Sequence, residues 1–268
     1  MLNSVRYIVI FSIFFLSGCD IEKAKVLDDN FTNTKIGTIQ DKKLVKVIEK
    51  KKKEPKPEIT PKQDLKKYSA YKKQNNKTLN KKDKFVEILA PVVVSVYNKL
   101  QNKYEAVKID IENNKNTDEI EKLKKEYKAK NNIELLHAIK PHPISIVLAQ
   151  SAIESAWLTS RFAKEANNIF GVWSFKKDEP RIAASGLRGD KTIYLKKYNS
   201  FQESVEDYYK SVAKSWAYKE LRYMRTQTNN PDILLPYFRM YSEKRDEYVA
   251  VLKKVLDYNK FDRFDVKD

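Results

Sequence analysis

Between Pro143 and Trp157 the apolar and polar positions fall into a helical rhythm. Ile146, Val147, Gln150, Ile153, Glu154 and Trp157 recur at steps of three and four and so share one face of a helix running from about Pro143 to Ser155. Upstream, the same rhythm predicts two helices within residues 85–140. The first runs from Phe85 through Val96 to Val107, with Glu105 to Glu112 as an extension. The second runs from Asp118 to about Lys130, with Ile120, Leu123 and Tyr127 on its inner face, and a break at Asn113-Asn114 separates the two. Thr117 or Asp118 is the expected N-cap of the second helix. Downstream the period changes to two: Thr192, Tyr194, Lys196 and Tyr198 alternate with Ile193 and Leu195 as in a strand, with Gly186 and Gly189 marking turns.

The charged position in the Pro143–Ser155 pattern is the informative one. Glu154 lies on the core face, where a carboxylate must be paired or have its pKa raised. A carboxyl kept protonated near neutral pH by an apolar wall is what acid-assisted cleavage of a glycosidic bond requires. A buried glutamate bonded to a neighbouring group fits the same pattern.

The residues around it carry a resemblance. Gln150-Ser-Ala-Ile-Glu154-Ser-Ala-Trp157, Ser160-Arg161-Phe162-Ala163, Asn167-Asn168, Phe170-Gly171 and Trp173 resemble the glucosaminidase domains of glycoside hydrolase family 73, in particular the Bax type. Tyr198-Asn-Ser-Phe201, Glu220-Leu221-Arg222 and Tyr241-Ser-Glu-Lys244 with Tyr248-Val249 are similar to later motifs of that type, and Lys84-Phe85 with Leu89-Ala-Pro91 to its preceding helical segment. The resemblance implies a mainly α, lysozyme-like α+β fold with a small β-hairpin lobe. It also implies hydrolysis of the β-1,4 bond after N-acetylglucosamine in peptidoglycan or a related glycan, with Glu154 at the position of the catalytic acid. Ala156 and Leu158 stand where the family usually has glycine, and their side chains are expected to narrow the site.

A second catalytic group is expected from the hairpin region. Tyr194 occupies the place of the family's lobe acid, which leaves Asp190 as the candidate base. Alternatively the substrate's own 2-acetamido group attacks the anomeric carbon, with Tyr241 rather than Tyr248 polarising it. Sugar rings have apolar faces, so Phe170, Trp173 and Tyr198 are the expected lining, Gln150 and Asn168 the polar anchors, and Tyr248 a further contact. Trp157 is assigned mainly to the core. His137 and His142 lack partners at metal-ligand spacing, and neither metal nor cofactor is expected.

The ends of the chain place this domain in a cell. Arg6 precedes an apolar run from Tyr7 to Leu16, too short to span a bilayer and of signal-peptide length. Leu16-Ser17-Gly18-Cys19 resembles the lipobox of bacterial lipoproteins, in which the cysteine is lipidated; Cys19 is the only cysteine, which excludes a disulfide framework. Residues 19–83 are polar and lysine-rich and read as a disordered tether that takes much of the formal charge of +17. Anionic glycans or lipid headgroups are its expected contacts, and nucleic acid is not. The expected organisation is a signal peptide over 1–18, a tether over 19–83, a helical segment over 84–140 and a catalytic domain over 141–262, acting as a monomer in the cell envelope on peptidoglycan strands. Which membrane holds it is left open by Asp20, whose sorting effect is specific to enteric bacteria. A lytic transglycosylase, or a glycan-binding lipoprotein without turnover, are the alternative readings.

Overall fold

The computed structural model of the protein describes residues 80–188 and 191–266. The signal-peptide and lipobox expectations, the tether up to residue 79, Asp190 and Gly189 lie outside those residues, whereas the last tether positions, 81–83, form the first turn of a helix.

Helix α1 (Lys81–Glu112) is one unbroken helix, so the extension through Glu105 to Glu112 is part of it. Asn80 caps it by accepting from the amides of Lys82 and Asp83 at 2.9 and 3.0 Å. It ends at Asn113, followed by Asn114 at φ 53°, so the expected break is present. Helix α2 (Thr117–Tyr127) follows, but its cap position is Asn116, itself left-handed and making no side-chain capping bond. Lys128, at φ 56°, stops α2 short of Lys130. The two-helix reading of this region misses α3 (Asn132–Ile139), whose eight residues give too few turns for a periodic signal. Its start is nonetheless well specified: Asn131 accepts from the Glu134 amide at 2.8 Å while Glu134 reaches back to the Lys130 amide at 2.9 Å.

Helix α4 (Ile144–Glu154) is the centre of the molecule. Every residue from Ile144 to Ala152 is buried, so it is apolar all round rather than along one stripe. It packs against α1, α9 (Asp246–Tyr258) and a terminal 3-10 turn over Phe261–Phe264. The buried positions of the N-terminal half of α1, Phe85 to Tyr97, share this core, whereas the C-terminal half of α1 forms a second cluster with Ile120, Leu123, Leu135 and Ile139.

After α5 (Arg161–Ala166) comes the hairpin, β1 (Arg181–Arg188) against β2 (Lys191–Lys196), antiparallel with Ile182 opposite Leu195 and Leu187 opposite Thr192. The register shifts between Ala183 and Leu187, and Gly186 sits inside β1 at that irregularity rather than at a turn. The strand pattern ends at Lys196, so Tyr198 lies beyond it. The remaining helices are α6 (Phe201–Lys214), α7 (Lys219–Gln227) and α8 (Pro231–Leu234), with 3-10 turns over Trp216–Tyr218 and Leu235–Tyr241. The described chain is thus mostly helical with one small two-stranded lobe, the architecture expected of the lysozyme-like α+β class.

Candidate active site

Glu154 is the last residue of α4. It is half-buried, at the point where the buried helix reaches the surface, rather than enclosed in the middle of a core face. The chain then turns sharply. Ala156, Trp157 and Leu158 take φ of 50°, 64° and 62°, three consecutive non-glycine residues in the left-handed region. The two positions where the family usually has glycine are therefore positions at which glycine would relieve a cost of about 1 kcal/mol or more. Ser155 holds the turn: its hydroxyl donates to the Ser151 carbonyl at 2.6 Å and accepts from the Leu158 amide at 2.9 Å. Trp157 anchors it, with its ring edge-on to Phe85 at 5.2 Å and tilted against Phe261 at 6.4 Å, in keeping with the core role expected for it. Strain of this kind persists where surrounding packing over-determines it.

Tyrosines surround the acid. The Tyr248 hydroxyl donates to Glu154 Oε1 at 3.2 Å and accepts from Gln150 Nε2 at 3.1 Å. Gln150 Oε1 in turn accepts from the Tyr208 hydroxyl. Burial, and then the charge of Glu154, hold the Tyr248 and Tyr241 hydroxyls well above the ordinary tyrosine range; the Tyr218 hydroxyl is raised for the same two reasons. All three stay protonated donors at any physiological pH. Tyr241 stacks on Tyr248 at 5.4 Å with nearly parallel rings.

This geometry redistributes several expected roles. Tyr241 is fully buried and donates to the Phe170 carbonyl at 3.3 Å, whereas Tyr248 donates to the acid. Gln150, expected as a sugar anchor, is fully buried, and both ends of its amide are engaged by tyrosines. Phe170 is likewise fully buried and stacks on Tyr208 at 4.2 Å, a core contact. Asn168 is an internal brace: its Nδ2 donates to the carbonyls of Val172 and Lys196, and its Oδ1 accepts from the Val172 amide. With Asn167, which donates to the Tyr198 carbonyl, it fastens the hairpin lobe to the helical body. Tyr198 is 8% exposed and donates to Asp207 at 2.7 Å, beside the Lys196–Asp207 ion pair. Trp173 remains half-buried, bridged to Leu195, with its ring 6.1 Å from that of Phe175. Phe175, 49% exposed, lies outside every sequence motif, but an exposed phenylalanine next to a tryptophan is an aromatic surface of the kind sugars stack on. Tyr194 packs under the Arg181 guanidinium at 4.0 Å.

The sequence model of the family described as mannosyl-glycoprotein endo-beta-N-acetylglucosaminidase matches residues 129–261. No curated protein matches the chain. Among solved structures, the catalytic domain of the autolysin Auto from Listeria monocytogenes is similar at 17% identity and a TM-score of 0.45, over 79% of this chain and 100% of that one.

Proposed function

Residues 129–261 belong to the glucosaminidase family of glycoside hydrolases, and on that premise we propose that this protein is an endo-β-N-acetylglucosaminidase of peptidoglycan with Glu154 as its general acid. The observation that carries this reading is the placement of Glu154, half-buried at the end of an otherwise enclosed helix, with Tyr248 donating to Oε1. A donor fixed on Oε1 assigns the acid proton to Oε2. In the reaction that proton passes to the glycosidic oxygen as the bond to the anomeric carbon breaks, and the resulting carboxylate recovers a proton from the attacking water.

Tyr241 and Tyr248 present protonated hydroxyls beside Glu154, donors able to polarise the substrate's 2-acetamido group, which supports assistance by its oxygen in the second half of the reaction. Asp190 is the competing base. A thiazoline mimic of the cyclised sugar inhibits strongly under the first scheme, whereas Asp190→Asn costs at least ~10²-fold under the second. Trp173 and Phe175 are proposed as the sugar platform on the hairpin side.

The lipobox-like Leu16 to Cys19 supports attachment to a membrane through a lipid on Cys19, with the lysine-rich tether holding the domain near the anionic wall. Among the described residues no helix is long and apolar enough to cross a membrane.

Digestion of purified sacculi tests the assignment. Wild type is expected to release fragments with reducing N-acetylglucosamine ends, and Glu154→Gln to lose activity by ~10²-fold or more while keeping its fold, because the amide is nearly isosteric but delivers no proton. Anhydromuramic acid ends would indicate a lytic transglycosylase. Binding without any soluble product would indicate a lectin-like protein. A Glu154→Gln variant with more than half the wild-type rate would remove Glu154 from the mechanism.

A further inference from the structure

The hydrogen bonds that reach Glu154 do not stop at Tyr208. His142 Nε2 lies 2.9 Å from the Tyr208 hydroxyl, and Arg225 Nη1 lies 3.4 Å from His142 Nδ1. The links join residues 83, 66, 58, 98 and 94 positions apart in sequence. All the intermediates are enclosed: His142, Tyr208 and Gln150 are 0% exposed, Arg225 1% and Tyr248 4%.

We propose that Arg225 and His142 are positioning residues for Glu154: a one-way chain of donors that starts at the Arg225 guanidinium fixes the direction of every hydroxyl and amide up to the acid. This inference rests on the reading of Glu154 as the general acid.

The direction follows from the first link. A guanidinium only donates, so His142 Nδ1 accepts. Burial and the neighbouring Arg225 charge hold the His142 imidazole well below its ordinary pKa, so the ring is neutral and its proton sits on Nε2. That proton is directed at Tyr208, whose own hydrogen then points to Gln150 Oε1. The Gln150 amide is thereby oriented with Nε2 toward Tyr248, and Tyr248 donates its hydrogen to Glu154 Oε1. Arg225 has little freedom to leave: its Nη2 donates to the carbonyls of His137 and Ala138 at the end of α3, at 3.1 and 2.7 Å.

The reverse direction has a chemical consequence. With the Gln150 amide turned over, Tyr248 donates inward to its Oε1 and a protonated Glu154 donates to Tyr248. The catalytic proton is then pointed into the protein instead of toward the glycosidic oxygen. Any single group in the chain can in principle rotate or change tautomer, but Arg225 cannot reverse its polarity. In a dry interior, one fixed end propagates along the whole chain because each mismatch leaves a buried donor or acceptor unsatisfied.

The test uses two neighbouring buried tyrosines of α6. Tyr208 is a link; Tyr209, also buried, donates at 3.2 Å to the backbone carbonyl of His142 and is outside the chain. On solubilised glycan, Tyr208→Phe is expected to lower kcat about 10- to 100-fold with KM little changed. The basic limb of kcat is expected to move to higher pH, because the carboxylate form of Glu154 loses its oriented donor. Among the described residues Tyr208, Tyr218, Tyr241 and Tyr248 face Glu154, and all four remain protonated across that limb. Tyr209→Phe is expected to lower thermal stability without either change. Arg225→Met is expected to reproduce the Tyr208→Phe profile, and Arg225→Lys, which also only donates, to restore most of kcat. Equal kinetic effects of Tyr208→Phe and Tyr209→Phe, or an unmoved limb in Tyr208→Phe, would overturn the proposal. If Arg225→Met does not fold, the tyrosine pair decides. Full activity in Glu154→Gln would sink the underlying assignment instead, whereas an inactive Glu154→Gln with a normal Tyr208→Phe refutes only the chain.

Discussion

Helix α4 carries the acid at one end and is held at the other by a residue from the opposite end of the chain. Pro143 occupies its cap position and makes no side-chain capping bond; instead Asp265 Oδ1 accepts from the Ser145 amide at 2.8 Å, across 120 residues. Burial raises the Asp265 carboxyl from the ordinary 3.8 to about 6, outweighing the bonds from Ser145 that favour its ionised form. The sign follows directly. An acid with a higher pKa in the folded state binds more protons folded than unfolded, so its contribution to stability is fully present below pH 3.8 and is lost as pH rises through about 6. At about 1.4 kcal/mol per pH unit, the whole interval amounts to about 3 kcal/mol, of which about 2 kcal/mol falls between pH 4 and pH 8 because the unfolded carboxyl is already half ionised at pH 4. Asp265→Asn keeps an oxygen acceptor for the Ser145 amide but does not titrate. The variant is therefore expected to gain on wild type by about 2 kcal/mol over that range, with most of the gain complete by pH 7. Urea unfolding followed by tryptophan fluorescence at pH 4, 5, 6, 7 and 8 measures it, and using the difference between the two proteins removes the contribution of every other titrating group. A stability difference that stays constant within about 0.5 kcal/mol across the series would refute the reasoning.

Three further outcomes are expected. Ala156→Gly is expected to stabilise the protein by about 1 kcal/mol, because Ala156 is exposed and held at φ 50° where glycine loses nothing; destabilisation in thermal melts would show that the turn is not left-handed in solution. Tyr248→Phe removes the donor to Glu154 and leaves the buried Gln150 Nε2 unsatisfied, a loss of about 1–3 kcal/mol that is expected as a 10- to 100-fold fall in kcat; a change confined to KM would place Tyr248 in substrate binding instead. Cys19→Ala is expected to release the protein from membranes and abolish labelling with a palmitate analogue; unchanged membrane association without label would identify the N-terminus as an uncleaved anchor.

The linear sequence determined the elements whose causes are local. The apolar period specifies α4 to within a residue or two at each end, the Asn113-Asn114 pair ends α1, and alternating residues mark β2. The motif around Glu154 identified the family, because residue type and spacing are all a motif needs. Tertiary structure decided what each of those residues does. Gln150, Asn168 and Phe170 belong to the right motifs, yet their polar atoms and faces are turned inward, and nothing in a linear pattern separates a residue that lines a cleft from one that braces its wall. The left-handed turn at Ala156 to Leu158 contradicts local preference and exists because the Ser155 hydroxyl and the Trp157 packing outweigh its cost. His142, which in sequence only lacks partners at metal-ligand spacing, becomes informative when the fold sets Tyr208 and Arg225 against its two nitrogens from positions 66 and 83 residues away. Secondary structure follows from neighbours a few residues apart. A chain of donors assembled from α4, α6, α7, α9 and the connection between α3 and α4 exists only once those elements have packed.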